Sequence, residues 1–175
     1  AGDEIVIVSS TTDWNEAEKR TISSVAGGTT VNLTSNLTYW HSGTEQDYMR
    51  PSDSKVWTAD MRAEVGLLTR NITIQGAPDS TTSGFGAHVM VHGAVDADPA
   101  GKGYVEGVEI YRGGQETQLA RYPFHWHLVA GDATGQYFND SAVHDSFNRG
   151  ITIHGTDNVT VSNNFFYNTI GHTVF

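Results

Sequence analysis

The chain has 175 residues, enough for one domain with a sizeable core. No segment approaches the roughly 18 consecutive apolar residues of a membrane span. Twenty acidic against ten scattered basic residues give a net charge of -10, which excludes nucleic acid as an expected partner, and the lack of Cys excludes a disulfide framework or a zinc ribbon.

In chain order, "GDEIVIVSS" alternates into a β-branched run and reads as a strand. In "TTDWNEAEKR", Asp13 followed three residues later by Glu16 is a capping-box signature for a short helix. "TISSVAGGTTVNLTSNLTYWH" reads as two strands around a Gly-Gly turn. In "DMRAEVGLLTRNI", Arg62 can pair with Glu64 or Asp60, which would lock the entry into the following segment.

From about residue 60 the pattern changes to short strands separated by Gly, Asn and Asp: "NITIQG", "HVMVHG", "GVEIYRGG", "YPFHWHL", "SAVHDSF", "GITIHG" and "NVTVSNNFF". No helical period is present in this half. The last units align loosely, Val143, Phe147 and Gly150 answering Val161, Phe165 and Gly171, which is a degenerate repeat of coil size. Six Asn residues after position 138 suit bends, where Asn tolerates a left-handed backbone and can ladder between coils.

The expected fold is therefore all-β: a right-handed parallel β-helix over residues 60–175, preceded by an N-terminal β-rich cap over residues 1–59 that contains one short helix. A β-sandwich or jelly roll is the rival architecture. "GHTVF" ends the chain within a strand pattern, so the coils are expected to be truncated at the C-terminus, continuing or self-associating beyond Phe175. Five N-x-S/T sequons, at Asn32, Asn36, Asn71, Asn139 and Asn158, suit glycosylation of a secreted or cell-surface chain.

"GDEIVIVSSTTDWNEAEKRTI", "DMRAEVGLLTRNITIQG", "RYPFHWHLVAGD" and "HDSFNRGITIHGTDNVTVSNNFFYNTIGHTVF", in that order, resemble the cell-surface hyaluronidase and cell-migration-inducing hyaluronan-binding protein family. That family joins a domain named for eight glycines to a right-handed parallel β-helix, and residues 1–59 are similar to the tail of the former. The resemblance implies an extracellular protein that binds hyaluronan or a related polysaccharide and helps depolymerise it, as a glycosidase or a lyase.

Strand alternation puts Phe124, Trp126 and Leu128 on one face, expected to be coil interior, and His125 and His127 on the other, facing out. By the same alternation His92, Glu109, His144 and Asp145 would join those two histidines on one outer face if the coils stack in register. Three readings of that face stand side by side. Two imidazoles, His125 and His127, with an oxygen ligand from Glu109 or Asp145 would suit a divalent transition metal. A metal-free polysaccharide site would draw its acid and base from His125, His127, His144, Glu109 and Asp145, with Arg121, Arg149 or Arg112 holding a uronate. In the third reading these are surface histidines of a glycosylated structural or adhesive solenoid that assembles end to end.

His88 and His92 share a strand face around Met90 and read as a rim; His154 and His172, each beside a Gly, read as turn caps. Among aromatic residues that can stack on sugars, Trp40, Tyr48, Trp57 and Tyr111 are least needed inside, with Tyr111 and Trp57 as substrate-binding candidates, while Trp14 and Trp126 are expected in the core. The acidic balance opposes a purely electrostatic grip on an anionic glycan.

Overall fold

In the computed structural model, which describes residues 1–93, 100–129 and 133–175, the β-branched opening run forms β1 (Glu4–Ile7). It is followed by β2 (Glu18–Ala26), β3 (Thr30–Leu33), β4 (Gln46–Arg50), β5 (Lys55–Ala59) and β6 (Val65–Leu67). An antiparallel sheet of order β3-β2-β1-β6 buries Ile5, Val6 and Ile7, and β4 and β5 form a separate hairpin. Gly27 and Gly28, at φ 59 and 73°, make the turn between β2 and β3, a left-handed pair that side chains resist.

The capping-box segment forms a single 3₁₀ turn, Trp14–Glu16. Asp13 Oδ1 accepts from the Asn15 N–H as expected, but Glu16 does not reach back to close the box; its carboxylate accepts from Thr11 Oγ1 at 2.6 Å. Trp14, expected in the core, is 80% exposed, because so short a turn buries none of its residues. Arg62 pairs with Asp60 at 2.5 Å and approaches Glu45 at 3.5 Å, so of the two expected partners Asp60 is the one it takes. These residues belong to the first of two compact units, Ala1–Leu67 and Leu68–Phe175.

The second unit is a parallel β-helix. Its strands are β7 (Ile72–Gln75), β8 (Val89–His92), β9 (Tyr104–Glu106), β10 (Val108–Tyr111), β11 (Phe124–His127), β12 (Tyr137–Asn139), β13 (Ala142–Ser146), β14 (Ile151–His154), β15 (Thr160–Ser162) and β16 (Phe165–Thr169). They stack into three parallel sheets among the described residues, ordered β16-β13-β10-β7, β14-β11-β8 and β15-β12-β9, so that each turn of the chain visits three faces. A one-turn helix, α1 (Ser80–Ser83), lies between β7 and β8, where no helical period is visible in the sequence.

Register shows why the repeat is hard to see. Val108 pairs with Ile72, Ala142 with Glu109 and Phe165 with Ala142, so successive turns take 36, 33 and 23 residues. Val143 answers Phe166 and not Val161, and Ile151 bridges to Val174. The strands keep register while the connections between them change length, which blurs any fixed sequence period.

The coil interior is apolar. Phe124, Trp126 and Phe138 are fully buried, with ring centroids 4.7 Å apart for Phe124 and Trp126 and 5.0 Å for Phe124 and Phe138. Leu128 does not follow them inward: β11 ends at His127, Leu128 turns left-handed at φ 52°, and its side chain is 47% exposed. Asn158, Asn163 and Asn168 also have positive φ, as expected of Asn at bends. Asn164 ties adjacent coils by donating to the Phe138 carbonyl at 2.7 Å while its Oδ1 accepts from the Ser141 N–H at 3.0 Å.

Candidate functional site

The residues expected on one outer face fall on two sheets. Glu109 and His144 belong to β10 and β13, whereas His92, His125 and His127 belong to β8 and β11. A coil with three faces can align equivalent strands of successive turns, but it separates neighbouring strands of one turn.

On the first of these sheets His144 Nε2 lies 2.9 Å from Glu109 Oε1 and its Nδ1 lies 2.9 Å from Asp145 Oδ2, so each ring nitrogen is hydrogen-bonded to a carboxyl group. Glu109 Oε2 also accepts from Thr73 Oγ1 at 3.1 Å and the Arg70 N–H at 3.3 Å, and Asp145 Oδ1 from Asn168 Nδ2 at 2.7 Å. His144 has no exposed surface and stacks on Tyr111 with centroids 4.9 Å apart. The imidazole and both carboxylates are thus occupied by one another and by neighbouring coils. This arrangement crosslinks β7, β10, β13 and β16 and engages both ring nitrogens of His144.

The other sheet carries a histidine ladder. His127 is in register with His92 on one side and His154 on the other, because "VMVH", "FHWH" and "ITIH" each end their strand on His. Ring centroids are 5.2 Å apart for His92 and His127 and 5.1 Å for His127 and His154, close to the strand spacing. His154 therefore does not cap a turn: its Nδ1 lies 3.1 Å from Nδ1 of His127. That threefold strand ending was the sequence signal for His154.

His125 points away from the apolar interior, as alternation requires, yet it is buried at 2% exposure. The connection after β10 folds over it: the His125 Nδ1–H donates to the Ala120 carbonyl at 3.1 Å, and Tyr122 packs edge-on at 4.9 Å. Asn148 pins this connection by donating from Nδ2 to the carbonyls of Gln115 at 2.9 Å and Gln118 at 3.1 Å. With Nδ1 committed, His125 Nε2 is buried without a hydrogen-bond partner, as is the hydroxyl of Thr152, its register partner on β14. Burial pushes the His125 pKa down to about 4; the Ala120 carbonyl opposes this and the nearby His127, His154 and His88 add to it. His127 is also held below the ordinary histidine range, by burial first and then by His154 and His92.

His125, His127 and His154 line a cavity of about 290 Å³ together with Leu119, Ala120, Tyr122, Arg149, Thr152 and Phe175. The Arg149 guanidinium lies 3.7 Å from the Phe175 ring centroid and 5.7 Å from that of Tyr122. The other substrate-binding candidates are elsewhere. Arg112 lies over Tyr111 at 4.5 Å and donates to Gln75 Oε1 at 3.1 Å, on the sheet of the carboxylate network. Arg121 is exposed and is not part of the cavity lining. Trp57 belongs to the β4–β5 hairpin of the first unit, where Arg50 and Lys55 lie 5.0 and 5.3 Å from its ring centroid. Tyr122, Leu119, Asn148 and Thr152 were not legible as site residues, since a connection of residues 112–122 with no strand pattern brings the first two into place.

Fold and site together define a parallel β-helix with a histidine-lined cavity on one sheet. The chain belongs to the CEMIP beta-helix family, whose profile matches residues 84–175. It is 36% identical to mouse fibrocystin-L over its whole length, while spanning 5% of that protein. Two G8 domain-containing proteins of Dictyostelium discoideum are 37% and 34% identical over 93% and 99% of the chain, which spans 9% and 14% of their lengths. No helix among the described residues is long and apolar enough to cross a membrane.

Proposed function

We infer that this chain is a segment of an extracellular polysaccharide-binding protein, and that a sugar residue sits in the cavity beside His127 and His154. The observation that carries this reading is Arg149. Its guanidinium is held against two aromatic rings at a cavity walled by imidazoles, an arrangement that can grip a uronate carboxylate while Tyr122 and Phe175 offer ring surface. A volume near 290 Å³ is at the small end of ligand pockets, room for one sugar unit rather than a long oligomer. Exposed sequon residues Asn36, Asn71 and Asn158 agree with an extracellular setting.

If the cavity also cleaves its ligand, uronate elimination suits it better than two-carboxylate hydrolysis. The described lining contains no Asp or Glu side chain, and two-carboxylate hydrolysis needs a pair of them. Hyaluronan, chondroitin and polygalacturonate oligomers are the probes, measured by calorimetry and by the ultraviolet absorbance of an unsaturated uronate product, with and without chelator. Binding of at least one uronate polymer that falls more than tenfold in Arg149→Gln is the expected result. No binding to any of the three, or equal binding by Arg149→Gln, would refute the assignment.

A further inference from the structure

We propose that His125, His127 and His154 form a transition-metal site of the zinc class, built from two adjacent coils and open on its fourth side to the cavity. One nitrogen from each of the three residues lies within 4.8 Å of the others. The nearest pair, Nδ1 of His127 and Nδ1 of His154, is 3.1 Å apart, close to the roughly 3.3 Å that separates two nitrogens bound at about 2.05 Å to one tetrahedral ion. Strand register produces that approach, since the two residues are direct partners between β11 and β14.

His125 supplies an independent observation. Its Nδ1–H is donated to a backbone carbonyl, the usual second contact of a metal-bound histidine, which leaves the lone pair on Nε2. That nitrogen is buried and has no partner, although a buried imidazole nitrogen ordinarily finds a donor. A metal ion would satisfy it. Closing the set requires modest imidazole rotation, bringing the widest separation inward by about 1.5 Å to the tetrahedral spacing.

The donor set selects the metal class. Three imidazoles without an oxygen ligand suit zinc, copper(II), nickel or cobalt, and offer nothing to calcium or magnesium. Three neutral ligands leave the ion's double charge uncompensated, and Arg149 lines the same cavity, so the open position favours an anionic ligand such as a carboxylate. This inference does not rest on the polysaccharide reading, because metal binding can be read with no sugar present.

The test uses the untagged 175-residue chain, stripped with EDTA and titrated separately with zinc, cobalt(II) and calcium. The expected result is one equivalent of zinc at micromolar affinity or tighter, the intense visible bands of tetrahedral cobalt(II), and no calcium response. His154→Ala, exposed and at a strand end, should retain the far-ultraviolet circular dichroism of the parent and weaken zinc at least thirtyfold. His127→Ala should abolish the cobalt bands, and the exposed His172→Ala should change neither. Absence of tetrahedral cobalt bands in the parent chain would overturn the proposal. So would zinc affinity in a folded His154→Ala within threefold of the parent, which would mark the binding as nonspecific. If His125→Ala fails to fold, the His154 comparison still decides.

Discussion

Replacing Glu109 by Ala tests whether the carboxylate network is a crosslink or part of a catalytic site. The substitution removes the acceptor for His144 Nε2 at 2.9 Å, Thr73 Oγ1 at 3.1 Å and the Arg70 N–H at 3.3 Å. The charge-assisted bond to a buried imidazole is worth about 1.5–3 kcal/mol, and the two longer bonds, near the surface and able to rehydrate, add about 1 kcal/mol together. Their sum is roughly 2.5–4 kcal/mol. Glu109→Gln keeps an acceptor for His144 and should lose about half as much. In urea, followed by tryptophan fluorescence, Glu109→Ala should lower the midpoint by roughly 1–4 M for a slope of about 1–3 kcal/mol/M. A double-mutant cycle with His144→Ala should show coupling well above 1 kcal/mol. A midpoint within a few tenths molar of the parent would refute the crosslink, and loss of polysaccharide cleavage with unchanged stability would return Glu109 to catalysis.

Glu18, 4% exposed in the first unit, has a pKa held down to about 2: desolvation acts to raise it, but the Tyr39 and Thr38 N–H groups and His41 outweigh that. A carboxyl whose pKa is depressed on folding stabilises above its unfolded value of 4.5 and loses that contribution as pH falls toward 2, here on the order of 3 kcal/mol. The Thr38 and Tyr39 amide resonances should titrate with a midpoint near 2, and one near 4.5 would contradict the assignment. Gly86→Ala should disrupt the coil stack, since a Cβ there would meet the Arg112 carbonyl oxygen at 1.9 Å; an unchanged melting curve would show that the backbones do not approach this closely. Trp126→Phe leaves a void and removes the Nε1–H that donates to Gln136 Oε1 at 3.0 Å, so a loss of about 2–4 kcal/mol is expected in urea unfolding, and a loss below about 1 kcal/mol would argue against the packed interior.

Short strands, Gly and Asn at the bends, long polar connections and a repeat of coil size favoured the parallel β-helix over a β-sandwich, because they report on backbone conformation and on how far apart successive strands lie. Period-two alternation placed Phe124 and Trp126 inside and His125 on the opposite face. Alternation stops where a strand stops, which is why Leu128, one residue past β11, escaped the pattern and is exposed. Trp14 shows the same limit, since a hydrophobic residue in a single 3₁₀ turn has no neighbouring element assured to cover it.

What only the tertiary structure decided is which strands of successive turns lie side by side. Offsets of 35 and 27 residues bring His127 against His92 and His154, while an offset of 33 on a different sheet lays β13 beside β10 and brings His144 to Glu109. Burial of His125 was decided there too, by a connection whose Ala120 carbonyl and Tyr122 ring come to rest on the imidazole. Local chemistry sets the face to which a side chain points, but the lengths of irregular connections set its neighbours, and the neighbours determine whether a histidine is a crosslink, a ligand or a base.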